Sequence, residues 1–76
     1  MSHYSNNAAS VRVDVFQPSG KWYETLEVIW PHYYGKDMGI KEAFKLALEG
    51  RIHHGMTYVC LEPYHEHAHP LMVTLY

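Results

Sequence analysis

His65, His67 and His69 stand at every second position of one short segment, His65-Glu66-His67-Ala68-His69, fenced by Pro63 and Pro70. They are three of the seven histidines in a chain of 76 residues. In an extended segment alternate side chains point to one face, which would make the three imidazoles converge. Neutral imidazole is the commonest metal ligand, and Zn²⁺ sites with an open fourth position use such a set. Zinc or another divalent transition metal is the ion this set implies, with Glu62 or Cys60 near enough in sequence to add a ligand. The spacing is not that of a zinc finger or a metalloprotease. A solvated loop whose histidines hydrogen-bond locally accounts for the same residues, because ligation needs a convergence that spacing alone does not supply. The solvated loop is the simpler reading, and on it no cofactor is expected.

The second concentration of chemistry is aromatic: Trp22, Tyr23, Trp30, Tyr33 and Tyr34. Tryptophan and tyrosine dominate the energetics of protein interfaces. A small domain with one helix covers one sheet face well, so some of these rings are expected on the uncovered face or in the loop beside Pro31. Core packing is the competing use for Trp22 and Trp30. His53-His54 follow a predicted helix and suit its negative C-terminal end. Cys60 falls mid-strand, where a cysteine is an inert small hydrophobe. Asp14 and Glu24 form a candidate cross-hairpin carboxylate pair, for which a solvated outer face is the simpler account. No phosphate-binding glycine loop and no paired CxxC is present.

The elements that would position these residues follow from periodicity. Residues 1–10 are small and polar and read as a tail, leaving 11–76 as a single domain. Val11 to Val15 alternates with period 2, and Trp22 to Trp30 is rich in aromatic and β-branched residues, so the two predict a hairpin. Pro18 and Gly20 supply the turn. A four-residue loop pairing Val15 with Trp22 and Val11 with Leu26 is preferred, since it places the valines on the face of Leu26, Val28 and Trp30. The rival register sets Asp14 against Glu24, which is unfavourable. Asp37 can cap a helix whose apolar stripe is Ile40, Ala43, Phe44, Ala47 and Leu48, with Gly50 just past its end. Met56 to Leu61 and Leu71 to Tyr76 read as strands three and four. The expected fold class is α+β: ββαββ, a four-stranded antiparallel sheet with one helix packed on a face.

Composition narrows the function. The chain is 47% hydrophobic, too apolar for a disordered segment. With a single cysteine, no disulfide forms within it. So small a core gains from a metal or a partner chain. The formal charge of −2, without any basic run, argues against nucleic acid as a partner. No stretch approaches ~18 apolar residues, so no membrane span is expected. The start of the chain lacks the apolar region of a secretory signal, and the cytoplasm is the expected location. An enclosed substrate pocket is hard to build at this size, so an enzyme is not expected.

The stretch from Val11 to Trp30, with its Pro-Ser-Gly-Lys-Trp turn, resembles small accessory proteins of tailed bacteriophages. So does the closing Glu62-Pro63-Tyr64 and His69-Pro70-Leu71-Met72. The resemblance implies a short cytosolic protein that acts by binding a host or phage protein. The functional expectation is a non-enzymatic interaction module, binding a protein or a second copy of itself through Trp22, Tyr23, Trp30, Tyr33 and Tyr34. The alternative is a small metal-binding protein using His65, His67 and His69.

Overall fold

The computed structural model describes residues 9–31, 39–63 and 69–76. Two hairpins flank one helix among them: β1 (Ala9–Phe16), β2 (Trp22–Trp30), α1 (Ile40–Leu48), β3 (Thr57–Leu61) and β4 (Pro70–Thr74). The sheet runs β2-β1-β3-β4 with every neighbouring pair antiparallel. The expected ββαββ architecture is therefore the observed one. β2 and β3 run parallel to each other, separated by β1, and α1 lies in the connection between them.

Alternation sorts the side chains. Val11, Val13 and Val15 of β1 are buried with Val28 and Trp30 of β2, Tyr58 and Cys60 of β3, and Leu71 of β4. α1 covers this face with Ala43, Phe44, Ala47 and Leu48, which recur at helical spacing. Ile40 was expected on that stripe but is exposed at the first residue of the helix, and the stripe that packs begins at Ala43. The residue at the helix N-cap is Gly39, two positions beyond Asp37, which lies outside the described residues. At the other end Glu49 and Gly50 both take positive φ, 52° and 85°, a conformation that suits the glycine. Arg51 Nε, and not a histidine, donates to the last-turn carbonyl of Leu48 at 3.0 Å.

The hairpin turn forms as its residues dictate. Gly20 N–H donates to Gln17 O at 2.8 Å, and Gly20 has φ 91°. The register differs from the expected one. Val11 faces Val28, not Leu26, and Asp14 faces Thr25. The ladder shifts between Val15, opposite Glu24, and Phe16, opposite Trp22, which leaves Tyr23 as an extra residue in β2. The loop closes one position off the expected register, with Phe16 opposite Trp22, and the bulge adds a second; the pairing beyond it is moved by two positions, which keeps every side chain on its face. The strand also starts at Ala9, so Ala9 and Ser10 belong to the domain and not to a tail.

Backbone direction alternates with the same regularity. Glu62 N–H donates to His69 O at 2.7 Å, and Leu75 N–H to Met56 O at 3.1 Å. Counting inward from these rungs, Pro70, Met72 and Thr74 direct their backbone groups away from β3. Pro70, having no N–H, thus blunts the outer edge of β4 without breaking a rung.

Candidate functional site: the uncovered face of the sheet

α1 protects one side of the sheet. The other carries Ser10, Arg12, Asp14 and Phe16 of β1, with Trp22, Thr25, Glu27 and Ile29 of β2. Thr57, Val59 and Leu61 of β3, with Pro70, Met72 and Thr74 of β4, complete it. Among these, Trp22 is 58% exposed, Ile29 60%, Leu61 62% and Met72 68%. Scattered exposed hydrophobes are ordinary, but Val59 faces Met72 and Leu61 faces Pro70, so the β3–β4 half is a contiguous apolar patch.

The β1–β2 half is a polar network that holds an aromatic ring in place. Trp22 Nε1–H donates to Thr25 Oγ1 at 3.1 Å, and the Thr25 hydroxyl donates to Asp14 Oδ1 at 2.6 Å. The register explains the relay: Asp14 and Thr25 are direct cross-strand partners, and Thr25 lies three residues beyond Trp22 across the bulge. An exposed indole tied at its nitrogen has little rotamer freedom left to lose on binding. It lies opposite Phe16 at the turn end of the hairpin. Glu27 faces Arg12 farther along the strands.

The expected aromatic surface is therefore divided. Trp22 lies on the uncovered face. Tyr23, the bulged residue, is 45% exposed and meets the His53 ring edge-on at 5.5 Å. Trp30 is 1% exposed and packs edge-on against Phe44 at 5.0 Å, so it is a core residue unable to contact a partner. Its position explains this: β2 residues of even number beyond the bulge face the helix. Tyr33 and Tyr34 lie outside the described residues. Asp14 and Glu24 do not pair, since Glu24 faces Val15 on the opposite side of the sheet.

Of the histidine segment, His65 and His67 also lie outside the described residues. His69 is exposed, and its carbonyl accepts from Glu62 N–H. Among the described residues no group of three or more His, Cys, Asp or Glu is placed to hold a metal ion. His53 and His54 serve as ring partners: His54 meets Tyr76 at 5.8 Å. The backbone N–H of His53 donates to the hydroxyl of buried Tyr58 at 2.7 Å. Burial pushes the Cys60 thiol up from its ordinary 9.0 to about 11, and the nearby Glu62 carboxylate adds to the shift. A thiol so held is a core residue and not a ready nucleophile. No helix among the described residues is long and apolar enough to cross a membrane.

Comparison with known proteins gives no relative: no family model, no curated protein and no solved structure matches the chain.

Proposed function

We propose that the protein is a non-enzymatic interaction module whose contact surface is the uncovered face of its sheet, with Trp22 as the anchor. The observation that carries this reading is the relay Trp22–Thr25–Asp14, which fixes a 58%-exposed indole over the face. A ring of this kind is what interface hot spots are made of. The apolar patch of Val59, Leu61, Pro70 and Met72, across β1 on the same face, supplies further area to be removed from water. The resemblance to phage accessory proteins favours a host or phage protein as the partner, and a second copy of the chain is the other candidate.

Wild-type protein and Trp22→Ala are compared by sedimentation across a wide concentration range and by retention of partners from an extract of the native cell. Self-association or a retained partner should appear with the wild type and weaken in the variant, while the melting curves stay alike. A wild type that remains monomeric and retains nothing would contradict the proposal.

A further inference from the structure

The β1–β3 ladder stops early. β1 pairs with β2 along its full length, from Ala9 to Phe16, but with β3 only from Asp14 to Phe16. Continued in register, Arg12 would face Leu61 and Ser10 would face Pro63. Proline has no N–H to return across that rung, and the chain bends at Pro63. The strands have already parted at Arg12 and Leu61, short of that bend, and between them lies a cleft of about 310 Å³ lined by Ala9, Ser10, Val11, Arg12, Leu61, Glu62 and Pro63.

Hydrogen-bond alternation fixes what the β1 wall offers. Gln17 N–H donates to Lys21 O across the hairpin at 2.8 Å, so odd-numbered residues of β1 bond toward β2. Even-numbered residues bond toward β3, as the pairs Asp14–Val59 and Phe16–Thr57 do. The backbone N–H and C=O of Ser10 and Arg12 are therefore directed into the cleft, beyond the last β1–β3 rung. Such a row of main-chain donors and acceptors, at extended spacing, is complementary to the backbone of another extended chain.

We infer that this cleft is a second docking site, one that takes an extended peptide segment of a partner protein by adding it as a strand along Ala9–Arg12. Main-chain bonds to Ser10 and Arg12 supply the affinity. The exposed Arg12 side chain stands on the uncovered side of this edge and favours an acidic residue in the segment. The site sits at the opposite end of β1 from Trp22 and needs nothing from that residue.

The experiment pans a display library of random nine-residue peptides on the full chain and measures the enriched peptides against three proteins. These are the wild type, Ser10→Pro and Trp22→Ala. Proline at position 10 removes a cleft-facing donor but no rung to β2, because Ser10 does not bond toward β2. Binding should fall at least tenfold in Ser10→Pro and stay within twofold in Trp22→Ala. Amide hydrogen exchange on the wild type needs no variant: Ser10 and Arg12 should exchange fast in the free protein and slow on binding. No enriched peptide, or binding that survives Ser10→Pro, would overturn the inference. Amides of Ser10 and Arg12 already protected in the free protein would overturn it too, by showing the edge occupied by the chain itself. Peptides sensitive only to Trp22→Ala would overturn the cleft while supporting the uncovered face, so the two readings fail separately.

Discussion

Trp30 and Phe44 meet edge to face, their ring centroids 5.0 Å apart and their planes at 89°. This contact joins β2 to α1, and both rings are fully removed from water. Phe44→Ala should cost about 3–5 kcal/mol, the range for truncating a buried aromatic. Urea melts provide the check. A loss below about 1 kcal/mol would place Phe44 outside the core.

The two tryptophans should differ in emission. Trp22 is exposed and Trp30 is buried among Phe44 and its neighbours. In Trp22→Phe the remaining fluorescence should be blue-shifted and resistant to iodide. In Trp30→Phe it should be red-shifted and readily quenched. Equal quenching of both variants would contradict the assignment of the two rings.

Tyr58 ties the loop after the helix to the sheet. Its hydroxyl accepts from His53 N–H at 2.7 Å and lies 3.4 Å from the carbonyl of the same residue. Tyr58→Phe should cost about 1–3 kcal/mol, since it removes the acceptor from a partly buried donor. The His53 amide should then exchange faster. An unchanged exchange rate would mean that water replaces the hydroxyl at no cost.

Cys60 gives a pH prediction. Its folded value, about 11, lies above its ordinary 9.0, so the folded chain holds the proton more tightly than the unfolded chain. The stabilisation is complete below about pH 9 and is lost as pH rises through about 11. The same shift lowers the thiolate fraction about a hundredfold at mildly alkaline pH. Iodoacetamide should therefore alkylate the native protein far more slowly than the urea-unfolded chain. Similar rates would show the thiol accessible and its proton loosely held.

The fold was largely legible because its signals are periodic. Alternation in Val11–Val15 and the helical recurrence of Ala43, Phe44, Ala47 and Leu48 report which side is buried, and both are local. The hairpin register was not legible, since the bulge at Tyr23 adds a residue without disturbing composition. A shift of two preserves facing, so the valines keep the expected side but take different partners. The relay from Trp22 through Thr25 to Asp14 depends on that register and was missed for the same reason. The cleft beside β1 had little signal in the sequence: Pro63 bars a rung to Ser10, but the ladder ends before it, after Asp14 and Val59. Trp30 was ambiguous because a large aromatic suits a core and an interface equally well, and only the helix above it decides.

The Trp22 indole N–H would report directly on the proposed contact through the uncovered face. Its proton resonance is followed by NMR as the protein is brought together with its retained partner, or concentrated if it self-associates. The Trp22 signal should shift and become protected from exchange with water, while the Trp30 indole signal stays where it was. A complex in which Trp22 is unmoved and the residues of α1 respond instead would contradict it.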